Sequence, residues 1–262
     1  MDTDSTRTAV LLIGHGTRDA AGISEFRELA RMLTERIAPV AVFPCFLEIA
    51  APTIAAAVLA AVDAGARNIV AAPLLLFAAG HAKSDIPQAL AEAAARIATD
   101  RGIEVSICQT DVLECHPKLL ELSSLRFNEA IAGETQLPAE TTCLVMVGRG
   151  SFDADAIAAM HRFAALRAQV SPVHHAEAAF IAMATPKYGD ALRAAATKGY
   201  MRIVVQPHLL FAGELLKELQ YFVATLTKEF PSTHWMLTSH LGPHALLTDA
   251  VESNCQAAVA RN

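Results

Sequence analysis

The sequence predicts an α/β fold of two similar domains, each a four-stranded parallel sheet flanked by helices, and three observations predict it. The chain repeats itself: Val10-Leu11-Leu12-Ile13-Gly14-His15-Gly16-Thr17-Arg18-Asp19 returns as Leu144-Val145-Met146-Val147-Gly148-Arg149-Gly150-Ser151-Phe152-Asp153, so Gly14 and Gly148 stand 134 residues apart. The same offset carries Pro52 to Pro186, Gly65 to Gly199, Pro73 to Pro207 and Phe77 to Phe211, as two fused copies of one fold require. Within each copy, short aliphatic runs alternate with Ala-, Leu- and Glu-rich stretches of helical period, the pattern of βα units on a parallel sheet. Finally, 262 residues, 53% of them hydrophobic, suffice for two cores of ordinary domain size. The expected domains are residues 1–134 and 141–262, joined by a polar linker near 133–140 that contains Gly133 and Pro138.

In the first copy strands are expected near 8–14, 40–47, 68–77 and 103–109, and helices near 20–37, 52–64, 85–100 and 117–132. The helix over 20–37 is read from Ile23, Phe26, Leu29, Ala30 and Leu33 on one face, with Glu25, Arg27, Glu28 and Arg31 around the other. Pro52 suits the first turn of the second helix, where a missing N–H costs nothing. Asp85 is expected to cap the third helix, with Pro87 in its first turn. His116 precedes a Leu-rich helix and is read as a cap, as is its counterpart His244. The second copy repeats the order, with strands near 142–148, 173–181, 202–211 and 234–239.

Bulk properties narrow the function. A formal charge of −6 and a pI near 5.9 provide no basic field for nucleic acid. The start, Met1-Asp2-Thr3-Asp4-Ser5, lacks the basic-then-apolar layout of a secretory signal, and the apolar run Ile69 to Ala79 is too short to span a bilayer. A cytoplasmic protein with neither nucleic-acid nor membrane partners is expected. Cys45, Cys108, Cys115, Cys143 and Cys255 form no C-x-x-C pair, and read as free thiols in a reducing compartment.

Residues present in one copy and absent from the other are the candidates for chemistry. His15, Glu48 and His81 each fall at the expected C-terminal end of a different strand, where parallel α/β sheets form their ligand crevice. His15 maps to Arg149 and Glu48 to Ala182, while His81 maps to Leu215, or to Glu214 if one residue is deleted beside Gly213. The glycines, prolines and apolar residues around them persist, so the scaffold does not dictate these three. Two imidazoles and a carboxylate suit divalent first-row metals and leave coordination positions open. Without metal, the same groups accept protons near neutral pH. His174 and His175, adjacent on an expected strand, point to opposite sheet faces, and His161, His208, His234 and His240 have no constellation around them. Gly14-His15-Gly16 lacks the third glycine of a dinucleotide fingerprint, and there is no phosphate-binding P-loop or nucleophile elbow.

The pattern Leu12-Ile13-Gly14-His15-Gly16-Thr17-Arg18, then Phe46-Leu47-Glu48 with Pro52, then Pro73-Leu74-Leu75-Leu76-Phe77 with Gly80-His81 and Asp85-Ile86-Pro87, resembles the sirohydrochlorin chelatases of the class II chelatase superfamily. Val147-Gly148-Arg149-Gly150-Ser151 resembles the second half of their long, two-domain members. The resemblance covers essentially the whole chain. It implies a pseudo-two-fold, bilobed protein, working as a monomer of two fused halves with a cleft between them. The implied reaction inserts Co²⁺ or Fe²⁺, with Ni²⁺ a further substrate ion, into sirohydrochlorin, and no tightly bound cofactor is implied. On the matching motifs, the family's metal-binding His, Glu and His fall on His15, Glu48 and His81. Insertion must also remove two pyrrole protons, which His15 or His81 can collect. Sirohydrochlorin carries many carboxylates, and Arg18, Lys83 and Arg149 are the cations nearest in sequence to the strand ends. A non-catalytic carrier of metal or tetrapyrrole is the rival expectation.

Overall fold

The computed structural model describes residues 7–134 and 137–261; Thr135 and Gln136 of the expected linker, and the acidic start of the chain, lie outside them. Among the described residues are two four-stranded parallel sheets. The first comprises β1 (Thr8–Gly14), β2 (Ala41–Phe46), β3 (Asn68–Pro73) and β4 (Ser106–Gln109), in the order β2-β1-β3-β4. The second comprises β5 (Thr142–Gly148), β6 (His175–Phe180), β7 (Arg202–Pro207) and β8 (His234–Leu237), in the order β6-β5-β7-β8. The helices are α1 (Ala20–Ile37), α2 (Ile54–Asp63), α3 (Ile86–Arg101), α4 (Pro117–Ile131), α5 (Ala154–Val170), α6 (Tyr188–Thr197), α7 (Glu214–Glu229) and α8 (Ala245–Arg261).

The central strands β1 and β5 are apolar beyond their opening threonines, Thr8 and Thr142, because helices cover both faces of a parallel sheet. Leu11, Leu12 and Ile13 have no exposure at all, and neither do Leu144, Val145, Met146 and Val147. On one face of the first sheet, Leu11 and Ile13 pack with Ile54, Val58, Ile86 and Leu90 of α2 and α3. Cys143, Val145 and Val147 do the same in the second sheet with Leu192, Leu219 and Val223 of α6 and α7. Asp19 starts α1 by accepting from the amides of Ala21 and Gly22 at 2.9 and 3.3 Å, and Asp153 starts α5 in the same manner. The expected caps of α4 and α8 are present: the Nδ1 atoms of His116 and His244 each accept a backbone N–H two residues on, at 3.1 Å. Burial lowers the pKa of His116, which keeps that acceptor neutral.

Several expectations require correction. The compact units are residues 1–113 with 243–262, and residues 114–242, so the expected boundaries near 134 and 141 do not delimit them. The last helix of each sequence repeat is exchanged. Arg167 of α5, wholly buried, donates to Ser123 Oγ at 2.9 Å and Ser124 Oγ at 2.6 Å and lies over the Phe127 ring, which ties α4 into the second unit. Arg36 of α1 pairs with Asp249 and Glu252, and Asn254 donates to the carbonyl of Asp111 at 3.1 Å, which ties α8 into the first. β3 ends at Pro73, short of the expected 77, and β4 starts at Ser106 because its first partner, Asn68, opens β3. Pro52 lies ahead of α2, whose cap is Thr53. His174 precedes β6, which begins at His175. All five cysteines are free, and burial pushes the thiols of Cys45, Cys143 and Cys255 up to about 12. No described helix is long and apolar enough to cross a membrane.

Candidate metal centre

Sheet order brings three dispersed residues together. β1 lies between β2 and β3, so chain leaving the C-terminal ends of these three neighbours converges on one edge. His15 follows β1 directly, Glu48 stands two residues beyond β2, and His81 opens a single π-turn, His81–Asp85, after the loop that leaves β3. Parallel pairing continues past the strand ends: Leu47 N donates to Gly14 O at 2.9 Å, Glu48 N to His15 O at 3.1 Å and Leu74 N to Ile13 O at 2.8 Å. Backbone hydrogen bonds therefore set the spacing between His15 and Glu48 before any ligand arrives.

One ligand atom from each of His15, Glu48 and His81 lies within 4.8 Å of the other two, the single such group found among the described residues. His15 Nε2 is 3.3 Å from Glu48 Oε1. The two imidazoles meet edge to face with centroids 4.8 Å apart, and His15 Nδ1 lies 3.3 Å from Gly16 O. The side chains of His15, Glu48 and His81 are 24%, 48% and 39% exposed, so the group opens to solvent and an ion can enter and leave.

The turn that carries Glu48 is tightly built. Ala50 N donates to Glu48 O at 2.7 Å, and that same carbonyl abuts Gly16, where a Cβ would stand 1.9 Å from the oxygen. Ile49 takes a left-handed backbone with φ of +67°, an unfavourable conformation for a β-branched residue. The second unit repeats the device without the chemistry. Ala182 N donates to Arg149 O at 2.8 Å, a Cβ on Gly150 would stand 2.1 Å from Ala182 O, and Met183 takes φ of +55°. The strained turn thus belongs to the scaffold of both copies, and the His/Glu/His group to one.

Arg18 and Lys83 are exposed on the same edge of the first unit, three residues beyond His15 and two beyond His81. Arg149 is exposed in the second unit, at the place His15 holds in the first. Asp85 departs from its expected role: it makes no capping hydrogen bond to α3, and its Oδ2 instead lies 2.7 Å from His81 Nδ1. Gln109 of β4, which sequence reasoning missed, donates through Nε2 to Ala82 O at 3.0 Å and holds the π-turn from the sheet side. The spacing of His81 and Asp85, four residues apart, was the available signal, because such pairs share a face of any helical turn.

Comparison with known proteins adds to this geometry. The chain is 27% identical over 249 residues to a sirohydrochlorin cobaltochelatase of Priestia megaterium, covering 95% of this chain and 79% of that one. It is 27% identical over 247 residues to a sirohydrochlorin ferrochelatase of Bacillus subtilis (strain 168), covering 93% and 89%. Among solved structures, SirB from Bacillus subtilis with Fe³⁺ superimposes with a TM-score of 0.83 at 27% identity, over 97% of this chain and 96% of that one. SirB from Bacillus subtilis subspecies spizizenii in complex with cobalt gives 0.80 at 26% identity, over the same shares. Residues 9–130 and 143–258, nearly the whole chain in two successive stretches, match the CbiX family, and the chain belongs to that family.

Proposed function

We infer that this protein is a sirohydrochlorin chelatase that inserts Co²⁺ or Fe²⁺ into the macrocycle, with the incoming ion held by His15, Glu48 and His81. The observation that carries the reading is the approach of these three ligand atoms to within 4.8 Å of one another at an open sheet edge. Two neutral imidazoles and one carboxylate satisfy part of the coordination shell of a first-row divalent ion and leave positions for water and then for pyrrole nitrogens. Few ligands on exposed side chains favour release, which insertion needs as much as capture. The macrocycle gives up two N–H protons as it takes the ion, and a histidine is suited to receive them near neutral pH. His15 and His81, which the ion leaves as it enters the ring, are the acceptors at hand. Arg18, Lys83 and Arg149 are assigned to the substrate carboxylates, since guanidinium and ammonium groups bind such anions through charge-assisted hydrogen bonds. The reading carries with it a cytoplasmic protein, active as a monomer of two fused halves, in siroheme or cobalamin biosynthesis.

The test is an anaerobic insertion assay at matched free concentrations of Co²⁺, Fe²⁺ and Ni²⁺, followed by the absorption change of sirohydrochlorin. Many turnovers per protein, above the rate without protein, are expected for Co²⁺ or Fe²⁺, and the ratio of rates assigns the preferred ion. Uptake that stops at one equivalent per protein would overturn catalysis and leave a carrier.

A further inference from the structure

The carboxylate of Asp85 has no structural employment of its own. It stands at the N-terminus of α3 yet makes no capping bond there, and it is not one of the three clustered ligands. Its contact is His81 Nδ1 at 2.7 Å, a short, charge-assisted distance. An ionised carboxylate only accepts hydrogen bonds, so this contact requires the proton on Nδ1 and leaves the Nε2 lone pair for an ion. His15 Nδ1 lies 3.3 Å from the Gly16 carbonyl, also an acceptor only, with Nε2 turned to Glu48. In His15 the Nε2 side thus faces the carboxylate of the group. His81 differs in having its orienting group on a side chain, carried by a π-turn that is itself fixed by Lys83 N to Ala79 O at 3.0 Å and by Gln109 to Ala82 O. π-turns inside helices occur frequently at functional sites, and here the wide turn sets His81 and Asp85 on one face, ahead of Pro87.

Resting on the assignment of His81 as a ligand of the incoming ion, we propose that Asp85 is a positioning residue, fixing His81 as the Nδ1-protonated tautomer with Nε2 turned to the metal. Removing such an outer-shell partner costs about 10–100-fold in metal affinity. Asp85 is half-exposed and outside the core, so its substitution spares the fold.

The experiment is a double-mutant cycle with Co²⁺ alone as the probe, measuring affinity for wild type, Asp85→Ala, His81→Ala and the double variant. Asp85→Ala is expected to weaken binding about 10–100-fold in the wild-type background and not at all once His81 is gone. Asp85→Asn, which keeps an acceptor oxygen at the same reach, is expected to fall between wild type and Asp85→Ala. Ring ¹⁵N shifts of the metal-free protein at pH 8 supply a signature that general destabilisation would not move. His81 should be Nδ1-protonated in wild type and redistribute toward the Nε2-protonated form in Asp85→Ala. An equal loss in both backgrounds, or an unchanged tautomer, would overturn the proposal. Loss of affinity in His81→Ala with none in Asp85→Ala would overturn it while leaving His81 a ligand. Unchanged affinity in His81→Ala would remove the ligand assignment itself.

Discussion

His15→Ala is expected to reduce insertion of Co²⁺ or Fe²⁺ into sirohydrochlorin at least 100-fold while leaving the fold intact. His15 sits at the middle of the arrangement, 3.3 Å from Glu48 and with its ring 4.8 Å from that of His81. In the proposed mechanism its loss removes one of two imidazole ligands and one of two proton acceptors, and general-base contributions alone are worth about 10²–10⁴-fold. The side chain is a quarter exposed and leaves no sealed cavity behind, so thermal unfolding should barely change. Initial insertion rates, read beside circular dichroism of the same preparation, check both halves of the expectation. A variant that keeps the wild-type rate would remove His15 from the mechanism.

Gly16→Ala should disable the same site through the backbone. A Cβ at position 16 would stand 1.9 Å from Glu48 O and 3.0 Å from Glu48 C, and the residue has φ of +105°. Left-handed backbone costs an alanine about 1–2 kcal/mol, and relieving the overlap costs about 1–3 kcal/mol more. The turn must retreat, which breaks the 3.1 Å bond from Glu48 N to His15 O and carries the carboxylate away from the imidazoles. Gly150→Ala is the control, because its Cβ would meet Ala182 O at 2.1 Å with φ of +94°, where there is no ligand to displace. The two variants should lose similar stability in urea titrations, but only Gly16→Ala should lose Co²⁺ affinity, by 10-fold or more. Equal affinity in both would show that the Glu48 turn does not hold the ion.

The strands and the grouping of His15, Glu48 and His81 were legible in the sequence because each left a local signal that the repeat could test. Aliphatic runs marked β1 and β5 at an offset of 134 residues, and the replacement of His15 by Arg149 and Glu48 by Ala182 separated residues particular to one copy from those of the shared scaffold. The exchange of α4 and α8 was not legible. Sequence periodicity shows that a helix has an apolar face, not which sheet covers it, and the deciding contacts of Arg167 and Arg36 join residues far apart in the chain. Asp85 was misread for a related reason: an acidic residue ahead of Pro87 matches a capping pattern, whereas its actual partner is set by a π-turn that no periodicity announces. The end of β3 at Pro73 was hidden by the apolar run Leu74 to Phe77, which continues beyond the last paired residue.

The most direct measurement is the position of cobalt in crystals of this protein soaked with Co²⁺, located by anomalous scattering at the cobalt edge. A single strong site is expected, coordinated by Nε2 of His15, a carboxylate oxygen of Glu48 and Nε2 of His81, and lost in crystals of His15→Ala. A cobalt bound elsewhere, with these three side chains free of it, would show that His15, Glu48 and His81 do not hold the ion.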